Sequence, residues 1–198
     1  MKFVIATNNK KKLKELSAIL ETLDIDAVSL KEAGVETDVE ETGTTFAENA
    51  RLKAENATKI TGLPAVADDS GLEVFALGGE PGIYSARYGG DLPDDEARYM
   101  YLLSNMKGIE DREARFVSSI CCTFPDGDVI SVEGEIRGEI LEIPIGDEGF
   151  GYDPVFYVPD EGCTMAQLSP ERKNEISHRA RALVKFKEEL TKRMCKPC

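Results

Sequence analysis

The chain has 198 residues, 41% of them hydrophobic, which suits one compact domain or two small lobes sharing a core. Its formal charge is −13, from 24 Lys and Arg against 37 Asp and Glu, and this excludes a protein that coats nucleic acid, because phosphate backbones are held by an excess of basic residues. Five scattered cysteines predict reduced thiols, and Met1-Lys2 leads into only a short apolar run, Phe3 to Ala6, so the expectation is a soluble, cytoplasmic protein with no membrane segment and no disulfide framework.

Lys2 to Ala6 reads as a short buried strand, followed by a helix on which Leu13, Leu16, Ile19 and Leu20 recur at helical spacing. At the junction, Thr7-Asn8-Asn9-Lys10-Lys11-Lys12 gathers backbone N–H groups, amides and ammonium groups where an anion is favoured. The same residues also suit an exposed basic helix start, and no G-x-x-x-x-G-K-[ST] loop occurs in the chain. A second strand near Ala27 to Leu30 precedes an acidic loop, where Glu40 and Glu41 are either solvated or available to a cation. Thr45 to Ile60 is expected to be a helix with Phe46, Ala50, Ala54 and Ala57 along one side.

Pro64 to Ala67 reads as a brief apolar strand ending in Asp68-Asp69-Ser70-Gly71. That places two carboxylates at the C-terminal end of a buried strand, where open α/β sheets tend to place ligands. Adjacent carboxylates repel, so a metal ion or a raised pKa is expected; a polar strand-to-turn transition uses the same residues equally well. A further strand from Leu72 to Leu77 and a turn-rich loop, Gly78 to Gly82, lead to a helix over Pro93 to Met106. Ala114 to Phe124 and Val129 to Glu135 predict a hairpin about Pro125-Asp126-Gly127-Asp128, continued by Gly138 to Ile143.

Gly146 to Pro154 is a second glycine-rich loop, and its Phe150-Gly151-Tyr152-Asp153 can stack a base or plug a core. Ser169-Pro170 is expected to cap one long helix reaching about Leu190, which carries Lys173, Ser177, His178 and Arg179. His178 is the only histidine, so zinc fits poorly, whereas the acidic clusters suit Mg²⁺, which takes one or two carboxylates beside water and phosphate oxygens. Cys195-x-x-Cys198 has a redox or half-zinc spacing with no role assigned. The chain therefore reads as a single mixed α/β domain, 1–198, with lobe one near 1–111 plus 160–198 and a β-rich lobe two near 112–159.

Six segments in order resemble the inosine triphosphate pyrophosphatase family, also called XTP/dITP diphosphatases. They are Thr7 to Lys12, Glu41 to Ala50 with Lys53, Ala67 to Leu72, Gly79 to Tyr88, Gly149 to Pro154, and Ser177-His178-Arg179. The resemblance implies an elongated two-lobed α/β fold around a long mixed β-sheet with flanking helices, an active site in the cleft between lobes, and a homodimer. By position, Asp69 resembles the catalytic base and metal partner, Asp68 and either Glu41 or Glu40 help hold the metal, and Lys12 and Lys53 resemble phosphate-binding lysines. Thr7, Asn8, Asn9, Lys10, Lys11, Lys12 and Ser70 would line the nucleotide site, and Phe150, Gly151, Tyr152, Asp153, Lys173, His178 and Arg179 resemble the base-recognition set. Asn8 is a departure, standing where many relatives have glycine.

The implied reaction is Mg²⁺-dependent hydrolysis of small-molecule substrates (ITP, dITP and XTP) to the nucleoside monophosphate and pyrophosphate, which keeps these bases out of DNA and RNA. Donors facing O6 would disfavour adenine, and a second test at C2, placed near His178-Arg179, would disfavour guanine. A pyrophosphatase for modified pyrimidine nucleotides and a nucleotide-binding regulator without turnover are the rival readings.

Overall fold

A computed structural model describes residues 1–35 and 39–195, with the side chain of Lys11 outside the description. Strand β1 (Lys2–Ile5) pairs in parallel with β2 (Asp26–Ser29) and with β3 (Ala65–Val74), Val4 lying opposite Ala65 and Ile5 opposite Val66. Further along come β4 (Glu113–Thr123), β5 (Val129–Ile140), β6 (Phe156–Val158) and β7 (Cys163–Thr164), with β5–β6 and β6–β7 antiparallel. The seven strands form one mixed sheet in the order β2-β1-β3-β4-β5-β6-β7.

By its contacts the chain divides into two compact units: Met1–Asp69, Ser118–Gly134 and Arg181–Cys198 form the first, Ser70–Val117 and Glu135–Ala180 the second. The sequence suggested other boundaries, with 112–159 alone as lobe two. The unit borders fall inside β3, β4 and β5, where no change of composition marks them.

In the first unit, strand alternation decides what each residue meets. Phe3, Ile5 and Val66 pack with Leu16 and Leu20 of α1 (Lys10–Glu21) and with Ala182, Phe186 and Leu190 of α5 (His178–Met194). Val4, Ala6, Ala65 and Ala67 point the other way, onto Ala50, Ala54 and Ala57 of α2 (Phe46–Thr61). The small alanines let α2 lie close to the sheet. In the second unit Leu72 and Val74 pack with Leu102 of α3 (Asp95–Asn105), with Met106 just beyond it, and with Phe116, Ile136, Tyr152 and Phe156.

Two sequence expectations are corrected. The run Asp68-Asp69-Ser70-Gly71 is not a strand end: β3 continues through it to Val74, and Phe75–Leu77 is a 3-10 turn rather than strand. Apolar residues on both sides, Val66 before and Leu72 and Val74 after, hold the segment extended, and lysines compensate its charges, so turn propensity yields to packing. The expected single C-terminal helix is two, α4 (Pro170–Ile176) and α5, separated by Ser177 in an extended conformation, ψ 157°. The Ser177 hydroxyl accepts a hydrogen bond from Ala180 N at 3.2 Å, and this cap starts a new helix where periodicity alone predicts continuation. No helix among the described residues is long and apolar enough to cross a membrane.

Candidate functional site

The sequence-predicted residues divide between the two units. In the first, the alternation of β3 sends Asp68 to the face of Val66 and Asp69 to the face of Ala65 and Ala67. Each carboxylate consequently finds its own lysine. Lys12 Nζ of α1 lies 2.9 Å from Asp68 Oδ2, a carboxylate only 2% exposed. Lys53 Nζ of α2 lies 3.2 Å from Asp69 Oδ1 and 2.9 Å from Glu41 Oε1, bridging two carboxylates that the chain separates by a loop and a helix.

Asn49, fully buried one helical turn before Lys53, completes this cluster and was missed as a site residue. Its amide Nδ2 donates to Asp69 Oδ2 at 3.4 Å, and its Oδ1 accepts from Gly43 N at 2.9 Å. A Cβ on Gly43 would come within 2.6 Å of that Oδ1, so only glycine allows the acidic loop to approach. The available signal was a polar residue inside the apolar stripe of Phe46, Ala50, Ala54 and Ala57.

The loop is anchored at the start of α2 by a capping box. Glu48 Oε2 accepts from Thr44 N at 2.6 Å and Thr45 N at 3.2 Å, while Thr45 Oγ1 accepts from Glu48 N at 3.2 Å. Glu41 is thereby the acidic-loop residue delivered to Lys53, whereas Glu40 is exposed. Thr7, Asn9 and Lys12 form the start of α1, with Asn9 Oδ1 accepting from Lys12 N at 3.3 Å and Thr7 Oγ1 accepting from Asn9 N at 3.2 Å. Asn8 and Lys10 are exposed there.

Burial pushes the Asp69 carboxyl above the usual carboxylate range; Lys53 and Lys12 pull it down, Glu41 pushes it further up, and the net is upward. Burial also works against the Lys53 ammonium, but Asp69 and Glu41 outweigh it, so Lys53 stays a firm cation. Among the described residues, no three His, Cys, Asp or Glu side chains converge as a metal cage. A pair of carboxylates, Glu41 and Asp69, does converge on one cation, the Lys53 ammonium. That donor set fits Mg²⁺, which needs only one or two protein carboxylates when phosphate and water supply the rest.

The second cluster is built on the glycine-rich loop. Asp153, 4% exposed, accepts from Phe150 N at 2.8 Å and pairs with Lys173, whose ammonium also sits 4.6 Å from the centre of the Phe150 ring. A Cβ on Gly149, whose φ is +89°, would strike Asp153 Oδ2. Phe150 is 44% exposed, so it is no core plug. Tyr152 is the plug instead: it is buried, and its hydroxyl donates to Ser85 O at 2.8 Å. Ser85 in turn accepts from Leu72 N at 2.9 Å and donates to Gly82 O at 2.6 Å. His178 stacks on Phe116, ring centres 5.0 Å apart at 17°, and Arg179 donates to Ser70 Oγ at 3.3 Å. Ser85 and Phe116 are supporting residues the sequence did not single out.

Residues 3–189 match the model of the Ham1 family. The dITP/XTP pyrophosphatase of Thermus thermophilus is 51% identical over 185 residues, covering 92% of this chain and 88% of its own length. That of Geobacter sulfurreducens is 49% identical over 96% of both chains. The solved structure of the Staphylococcus aureus Ham1 protein superposes with a TM-score of 0.93 at 46% identity, covering 98% of this chain and 100% of its own.

Proposed function

The chain belongs to the Ham1 family, and on that premise we propose that it hydrolyses non-standard purine nucleoside triphosphates, dITP, XTP and ITP, to the monophosphate and pyrophosphate. The relatives supply the substrate class. The observation in this chain that carries the chemistry is the buried Asp69 carboxylate set between Lys53, Asn49 and Glu41.

Asp69 takes a proton from the attacking water, whose oxygen bonds to the α-phosphorus as the bond to the bridging oxygen breaks and pyrophosphate leaves. An upward-shifted carboxyl is the stronger base for that task. Lys53 and Lys12 present fixed positive charge to phosphate oxygens, and their carboxylate partners hold them in place. Mg²⁺, held by Glu41 and Asp69, would neutralise charge on the triphosphate. Asp68 pairs with Lys12 on the opposite face of the strand and would hold that ammonium toward the phosphates, beside the part in metal binding that its position suggests. Phe150 offers a stacking platform for the base, and Lys173, His178 and Arg179 stand in the same unit as candidate readers of its edge. The proposal includes a homodimer, which light scattering tests.

The deciding measurement is pyrophosphate release from dITP with Mg²⁺, beside dATP and dGTP. Asp69→Asn should bind dITP but lose roughly 10²–10⁴-fold in kcat, the usual worth of a positioned base. Orthophosphate as the first product, or full turnover by Asp69→Asn, would overturn the mechanism.

A further inference from the structure

Building on the reading of Phe150 as the base platform, we propose that Asp95 is a positioning residue for substrate binding, acting through the backbone of the loop that presents that ring. Residues 142–150 are exposed and lie in no helix or strand, so the placement of Phe150 rests on individual bonds. Main-chain bonds hold the loop's flanks, Ile145 N donating to Pro154 O at 2.8 Å, Glu148 N to Ala166 O at 3.2 Å and Asp153 N to Phe150 O at 3.3 Å, and two successive backbone donors at its tip meet carboxylates. Phe150 N donates to Asp153 Oδ2 at 2.8 Å, and Gly151 N donates to Asp95 Oδ2 at 2.6 Å, reaching across 56 positions of sequence.

Each of these carboxylates has its own cation: Lys173 holds Asp153, and Arg98 holds Asp95. The loop is therefore clamped twice by the same device, a carboxylate that accepts a main-chain N–H and is itself fixed by a charge. The two clamps differ in what lies behind them. Asp153 and Lys173 belong to the cluster that meets the base, whereas Asp95 is the first residue of α3, anchored by buried Leu102, and acts through Gly151. Gly151 sits at φ +61° and Gly149 at φ +89°, so the loop depends on left-handed glycines whose freedom the clamps must restrict. With its side chain 48% exposed, Asp95 is screened by solvent, and its effect should be moderate. In the sequence Pro93-Asp94-Asp95 looks like an ordinary helix start, and Asp94 is indeed the cap. The second aspartate is left over for the loop.

The test compares the full-length wild type with Asp95→Ala and Asp95→Asn, the latter keeping an oxygen that can accept from Gly151 N. Loss of the charge-assisted bond in Asp95→Ala should raise KM for dITP about tenfold. Its kcat should stay within about twofold, because the loop touches the base and not the reacting phosphorus. Asp95→Asn should fall between the two. Hydrogen exchange at the Gly151 amide should quicken in the same order, reporting the clamp without reference to turnover. Unchanged Gly151 exchange in Asp95→Ala, or a loss of kcat with KM unmoved, overturns the proposal. A wild type inert toward dITP would overturn the proposed function instead, while the exchange rate still decides whether Asp95 holds the loop.

Discussion

At the scale of single residues, a buried carboxylate is tolerable only while its cation stays. Asp68 is 2% exposed and Lys12 14%, so removing the lysine leaves a charge in a poorly solvated place. Lys12→Met should cost about 3 kcal/mol of stability, and adding Asp68→Asn should recover most of it, because the charge that needed the lysine is then gone. Urea unfolding midpoints measure both; a double variant as unstable as the single one would show that the ion pair is not the cause. The thiols follow the same logic with opposite readout. Burial pushes the Cys121 thiol up to about 11 and Cys122 further up, whereas Cys195 is exposed and Cys163 half-buried. Iodoacetamide at about pH 8 should therefore modify Cys195 and Cys163 in the native protein and reach Cys121 and Cys122 only in denaturant, as peptide mass spectrometry would resolve.

At the scale of elements, the join between the acidic loop and α2 determines where Glu41 stands. Hydrogen bonds from Thr44 and Thr45 hold the Glu48 carboxyl below the usual carboxylate range. A depressed folded pKa means that the stabilisation is present above the unfolded carboxylate pKa and is lost as pH falls through the folded one. Glu48→Gln should thus lower Tm at neutral pH, and the difference from wild type should close as acid protonates Glu48. A gap that persists in acid would assign the effect to shape instead. Such joins also mark the limit of what sequence reveals. Helices α1 and α2 are legible because their apolar residues recur at helical spacing. Strand β3 was read as two pieces because Asp-Asp-Ser-Gly has turn chemistry, and nothing local says that Lys12 and Lys53 will arrive from two helices to keep it extended. The break at Ser177 was hidden for the converse reason: helical periodicity runs through it, and a single hydroxyl cap decides. At the proposed site, the family pattern names candidate residues, but which of them pair with each other is not legible in it. That Glu41 meets Lys53, that Asn49 meets Asp69, and that Asp68 and Asp69 take different lysines all require knowing which face each side chain takes.

At the scale of the whole molecule, the charge of −13 sets the long-range field a triphosphate meets. The lysines that would bind it, Lys12 and Lys53, are each within an ion pair, so their positive charge is cancelled at a distance and felt only in contact. Added salt should then have two unequal effects. Screening reduces the repulsion between enzyme and substrate over lengths beyond about 10 Å, while the partly buried contacts inside the site are screened less. For this acidic chain, kcat/KM on dITP at fixed free Mg²⁺ should rise as monovalent salt is taken from about 0.01 M to about 0.15 M, the opposite of what a basic, electrostatically steered enzyme shows. The rise should appear in kcat/KM rather than in kcat, because it belongs to encounter and not to the bound complex. A monotonic fall across that range would mean that the local lysines project attraction well beyond their carboxylate partners, and that the ion pairs break before the nucleotide arrives.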